Sequence, residues 1–83
     1  MSTTSQHLRV LRQRIRKRAA LPDPEERRRL RLAAGLSQAD VGVAAGVSAA
    51  AVSQWERGAR EPTGEALEAY VRVLGVLREE TAA

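Results

Sequence analysis

The chain contains no cysteine and a single histidine, His7. Disulfides and thiolate metal sites are thereby excluded, and one histidine cannot hold a metal ion alone. The lack of cysteine fits a reducing compartment. No apolar run approaches the ~18 residues of a membrane span, and the first residues lack the apolar stretch of a signal peptide. A soluble, cytoplasmic protein is expected, with no membrane partner. The strict alternation of a half-buried strand is missing, as are internal repeats. Missing too are the arrangements that catalysis requires: paired carboxylates around a cleft, a nucleophile with a base, a phosphate-cradling glycine loop. No enzymatic activity, cofactor or small-molecule ligand is expected. At 83 residues there is room for one domain with a modest core, held by helix packing, alone or with a partner subunit.

What is present is positive charge, unevenly placed. Residues 1–20 carry Arg9, Arg12, Arg14, Arg16, Lys17 and Arg18 and no acid, whereas residues 21–83 hold eight basic and ten acidic side chains. The net charge of +4 therefore divides into an arm of +6 and a body of −2. Such an arm is either a solvated basic tail or a grip on a polyanion. It also has helical character: Leu8, Leu11, Ile15 and Ala19 fall within about 80° of one another at ~100° per residue. That narrow stripe leaves three roles open: docking on the body, pairing with a second subunit, or folding when DNA neutralises the arginines.

Breakers divide the rest. Leu21-Pro22-Asp23-Pro24 is a linker, because each proline disfavours helix in the residue before it. The division expected is a basic extension over 1–21 and one domain over 22–83. Asp23 with Pro24 and Glu26 predicts an N-cap and a helix from Pro24 to Ala34, ended by Gly35. Ser37, with Asp40 three residues on, caps a second helix carrying Val41, Ala44 and Ala45 and stopped by Gly46. Ser48 caps a third, which runs through Arg57 to Gly58. After a loop closed by Pro62, Thr63 is the predicted cap of a fourth, with an apolar stripe of Leu67, Tyr70, Val71, Leu74 and Leu77. Gly75 is expected to weaken its last turn. The fold class predicted is all-α, about four helices plus a basic helical extension.

Two short helices joined by a tight glycine turn, with another helix before them, form a unit that presents one helix to the DNA major groove. Close crossing needs small residues in the first of the two, which Gly42 and Ala45 supply, and a turn residue tolerant of positive φ, which is Gly46. Taking Ala49 as zero and stepping ~100° per residue, Ala49, Ala50, Ser53, Gln54 and Arg57 cover about 0° to 140°, while Ala51, Val52 and Trp55 lie near 200° to 300°. One face is apolar and inward; the other is small, polar and cationic. Alanines allow close approach and contact thymine methyls, Gln54 and Arg57 offer hydrogen bonds to bases or phosphates, and Ser48 and Ser53 suit phosphate or water-mediated contacts.

The ordered series Leu36-Ser37-Gln38-Ala39-Asp40, Gly46-Val47-Ser48, Val52-Ser53-Gln54-Trp55-Glu56-Arg57-Gly58 and Arg60-Glu61-Pro62 resembles the Cro/CI-type (XRE) helix-turn-helix regulators over about residues 24–76. The resemblance implies a lambda-repressor-like fold and a sequence-specific regulator of transcription that binds a double-stranded operator as a homodimer. A phage or prophage Cro-like repressor is the first expectation, and an antitoxin-type protein that masks a partner and autoregulates is the second. It implies that Gln38 contacts the DNA backbone and steadies a polar residue of the recognition helix, and that Ala49, Ala50, Ser53 and Gln54 read bases. By the same likeness Gly58, Arg60 and Thr63 meet phosphates, and Arg31 pairs with Glu56. Two features depart from the family: the long arginine-rich extension, and a remainder after Gly75 too short for the fifth helix that usually serves the dimer.

For some residues two roles stand side by side. Arg27, Arg28, Arg29 and Arg31 are either a solvated face of their helix or phosphate contacts. The Arg31–Glu56 pair is worth little if exposed, but loss of one partner costs ~3–5 kcal/mol if it is buried. Trp55, on the inward face, is expected in the core, and Tyr70 likewise, with its hydroxyl near the surface.

Overall fold

The computed structural model describes residues 3–82, all of the extension except its first two residues and all of the body except Ala83. Among the described residues there are five helices and no strand: α1 Thr3–Ala19, α2 Pro24–Ala33, α3 Gln38–Ala45, α4 Ala49–Glu56 and α5 Gly64–Thr81. None is long and apolar enough to cross a membrane.

The starts of α2, α3 and α4 follow from local chemistry. The Asp23 side chain accepts from the Glu26 N–H at 2.9 Å, with Pro24 in the first turn where a missing donor costs nothing. Ser37 and Asp40 form a reciprocal capping box, each side chain accepting the other's backbone N–H at 3.0 and 2.9 Å. These bonds hold the Asp40 carboxyl below its ordinary range, the Ser37 backbone donor contributing most. The Ser48 hydroxyl accepts from the Ala51 N–H at 3.1 Å. Thr63 departs from expectation: it occupies the cap position of α5, but its side chain makes no capping bond.

A second departure is Gly75. It does not end the last helix, which runs through it for 18 residues to Thr81, because Leu74 and Leu77 on either side are both buried. Each buried leucine contributes ~1.5–3 kcal/mol against the ~1 kcal/mol that a mid-helix glycine costs.

The core consists of Leu30, Val41, Val52, Trp55, Tyr70, Leu74 and Leu77, so α2 to α5 all contribute. Of the residues predicted inward, Val71 is only partly buried and Ala44 is exposed. The Trp55 and Tyr70 rings meet at 4.7 Å with a 46° tilt, a favourable aromatic arrangement. The Tyr70 hydroxyl is not near the surface; it is buried and has no hydrogen-bond partner among the described residues. Burial pushes its pKa up to about 12.

Helix α1 stands apart. All its described residues are exposed, and it touches the body through the end that runs into Leu21, which packs against the core. Lys17 pairs with Glu68 of α5, and this bond holds the Glu68 carboxyl below its ordinary range. A helix of this length spans ~25 Å, which helps make the molecule 50 Å long but only 29 by 19 Å across.

Candidate nucleic-acid interface

Helices α3 and α4 are set by one turn. Gly46 takes φ 73°, the left-handed region that glycine enters without strain. The Val47 N–H then returns to the Gly42 carbonyl at 2.8 Å. Gly42 itself faces that turn: a Cβ there would lie 2.7 Å from the Val47 carbonyl oxygen and 3.2–3.3 Å from backbone atoms of Ser48 and Ala49. The close crossing of α3 and α4 thus depends on a missing methyl group.

With Val52, Trp55 and Glu56 buried, α4 turns its other face outward. Ala49, Ala50 and Arg57 are exposed, Ser53 and Gln54 half-exposed, and Ser48 sits exposed at the cap. The Arg57 guanidinium donates back to the Ser53 carbonyl at 3.3 Å. Beyond the helix, the Ala59 N–H closes onto the Gln54 carbonyl at 3.0 Å, and Gly58, Arg60 and Thr63 are exposed in sequence along the loop. The exposed residues from Ser48 to Thr63 are thus small, polar or cationic, the kind of side chain that can approach closely and donate hydrogen bonds to an anionic or polar partner.

Behind this surface lies an ionic lock. Arg31 donates to both Glu56 oxygens, from Nε at 2.7 Å and from its terminal nitrogen at 2.9 Å, and also to the Leu36 carbonyl at 2.9 Å. Arg31 and Glu56 are both buried, so each needs the other for solvation. The Glu56 bond raises the Arg31 pKa further. Gln38 adds a bond from its amide nitrogen to Glu56 at 3.2 Å, joining the start of α3 to the end of α4. Arg31 is therefore neither part of a solvated face nor free for phosphate.

Arg27 takes neither role read for it from the sequence: it is not on a solvated face and is not free for phosphate. It is 4% exposed and donates to the Pro22 carbonyl at 2.7 Å, to the Trp55 carbonyl at 2.8 Å and to both Glu61 oxygens at 3.2 and 2.9 Å. It fastens the linker, the end of α4 and the following loop together. The signal was there in the spacing: Arg27, Leu30, Arg31 and Ala34 share one helical face. Of its neighbours, Arg29 pairs with Glu26, which lowers the Glu26 pKa, and Arg28 is exposed.

The basic residues of the arm are only partly gathered with this surface. Arg14, Lys17 and Arg18 line a cleft with Thr63 and Gly64, beside the loop that follows α4. Arg16 and Lys17 line a second cleft with Val71 and Arg72, across α5. Arg9 and Arg12 belong to neither. Among the described residues, no group of three or more His, Cys, Asp or Glu side chains is placed to hold a metal ion.

A family model described as helix-turn-helix matches residues 28–80. No curated protein and no solved structure gives a match.

Proposed function

From the premise that the chain belongs to the Cro/CI-type helix-turn-helix family, DNA-binding regulators of transcription with an all-α fold, we propose that it is a phage or prophage Cro-like repressor. It binds a double-stranded, pseudo-palindromic operator as a homodimer, within a bacterial or phage-infected cell, and acts by binding rather than catalysis. The observation that carries this reading is the outward face of α4: small and polar side chains on a helix locked from behind by the buried Arg31–Glu56 pair. In this reading Ala49, Ala50, Ser53 and Gln54 face bases. Gln38, Ser48, Arg57, Arg60 and Thr63 meet the backbone beside them. Arg9, Arg12, Arg14, Arg16, Lys17 and Arg18 add phosphate contacts from the arm.

A footprint on the DNA flanking the protein's own gene supplies the operator, against which variants are measured. Ser53→Ala and Gln54→Ala are expected to relax sequence preference, a lost bidentate base contact costing ~1–3 kcal/mol of discrimination. If both variants bind every duplex equally more weakly while keeping wild-type preference, the assignment of α4 as the reading helix is wrong.

One observation favours a second reading, an antitoxin-type protein that masks another protein and autoregulates through α4. The apolar residues of α1 are uncovered: Leu8, Leu11 and Ile15 are about half exposed. Co-purification with the product of a neighbouring gene distinguishes this reading from the first.

A further inference from the structure

Helix α1 is held by one side. Lys17 bonds to Glu68, and the two clefts along α5 open on either side of Lys17, so the Lys17 side faces the body. At ~100° per residue, Leu8, Leu11, Ile15 and Ala19 then lie about 120° to 200° away from Lys17. The apolar ridge is thus turned away from the Lys17 side; its large residues are 48%, 52% and 58% exposed, and Val10, at about 20° on the Lys17 side, is exposed as well. Arginines border it on both flanks: Arg14 and Arg18 at about 60° and 100°, Arg12 and Arg16 at about 220° and 260°.

Such a helix does not stand well alone. Arg12 with Arg16 and Arg14 with Arg18 are like charges four residues apart, which destabilise a helix, and short isolated helices are marginal in any case. The face calls for an occupant that offers both negative charge and an apolar seat. Phosphates offer only the charge. The α1 of a second copy offers only the seat, and brings six more cations with no acid among them. We propose that the outward face of α1 docks into an apolar groove of a different protein, a groove rimmed on both sides by carboxylates. Leu8, Leu11 and Ile15 fill the groove at helical spacing, and the flanking arginines pair with the rim. This rests on and deepens the partner-binding reading: it uses none of the contacts proposed for α4, and in it Arg12, Arg14, Arg16 and Arg18 meet carboxylates in place of the phosphates of the first reading.

The test uses the full chain and a designed probe: a labelled amphipathic peptide with leucines along one stripe and glutamates beside them, followed by fluorescence anisotropy. Saturable binding is expected, weakened roughly tenfold or more in the double variant Leu11→Gln, Ile15→Gln, as two buried aliphatic side chains imply. Glutamine preserves helix propensity, and Leu11→Met, Ile15→Met should retain binding. The peptide with lysines in place of glutamates should not bind, and duplex DNA affinity should be unchanged by the glutamine variant.

Equal binding by a glutamate peptide whose leucines are replaced by serine would overturn the proposal in favour of a grip on any polyanion. So would a dimer in sedimentation that the glutamine variant dissolves, which would make the occupant a second copy, or a loss of duplex affinity in that variant. A neighbouring gene product that co-purifies equally well with the glutamine variant would keep the partner-binding reading and overturn this site.

Discussion

Tyr70 puts a phenol wholly inside the core, with its hydroxyl unpartnered and its pKa raised to about 12 by burial, the Glu56 charge adding to the same direction. The linkage sign follows from which state keeps the proton. Below about pH 10 both states are protonated and the contribution is whole; between about pH 10 and 12 the unfolded chain ionises first, so stability falls by roughly 2–3 kcal/mol across that window. Tyr70→Phe removes both the ionisation and the unsatisfied hydroxyl. It is expected to be as stable as the parent at pH 8, or more stable by up to ~1 kcal/mol, and to lose less than the parent as pH rises towards 12. Urea unfolding of the two proteins across this range checks it; curves that stay parallel would show the hydroxyl ionising alike in both states. At this scale, the helical wheel made Trp55 legible as a core residue because its apolar neighbours repeat at the same spacing. Arg27 falls on the same inward face as Leu30 and Ala34, but its charge argued against burial, since a charge on a helix is ordinarily solvated. Its burial is made tolerable by acceptors on three residues, the nearby Pro22 carbonyl and the Trp55 carbonyl and Glu61 carboxylate brought in from far along the chain.

Elements are where the two glycines without left-handed torsion angles part company. In α3, a methyl group at Gly42 would meet only backbone atoms of the turn into α4, and none of these can rotate aside. Gly42→Ala should therefore cost ~1–3 kcal/mol and shift α4 enough to reduce discrimination between operator and non-specific DNA. In α5, a methyl group at Gly75 meets no heavy atom within 4 Å, so Gly75→Ala should add ~0.5–1 kcal/mol of helix stability. Thermal unfolding of the pair is expected to move in opposite directions; a stable Gly42→Ala protein would mean that the turn has slack. The helix starts were readable because Asp23, Ser37 and Ser48 each act on an N–H group three residues away, within the range of local sequence. The end of α5 was readable only in part: the apolar stripe already reached Leu77, but Gly75 argued against the last turn, and the burial that outweighs it depends on a core assembled from remote segments.

For the whole molecule, the division of charge was plain in the sequence, but the direction of the arm was not. Its apolar stripe fitted three destinations equally, and only the Lys17–Glu68 pair shows which side meets the body. That anchoring bears on what removal of residues 1–20 will do. The deletion takes away six positive charges and leaves −2, and it frees Glu68 close to the cleft that borders Thr63. Affinity for any duplex should fall, and it should fall most at low salt, where phosphate contacts count most. Counterion release gives log K a slope of about −0.9 in log salt per phosphate neutralised, so three or four lost contacts should flatten the slope by roughly three. Sequence preference should survive better than affinity, because α4 and the Arg31–Glu56 lock behind it lie entirely in the remaining chain. The measurement is a salt titration of binding to operator and non-operator duplexes, with sedimentation of the truncated protein alongside. A monomer with a flattened slope would assign the arm to assembly as well as to phosphate, since a monomer reaches only one half-site. An unchanged slope would show that the arm's arginines never meet phosphate, and would leave the acidic protein groove as their counterpart.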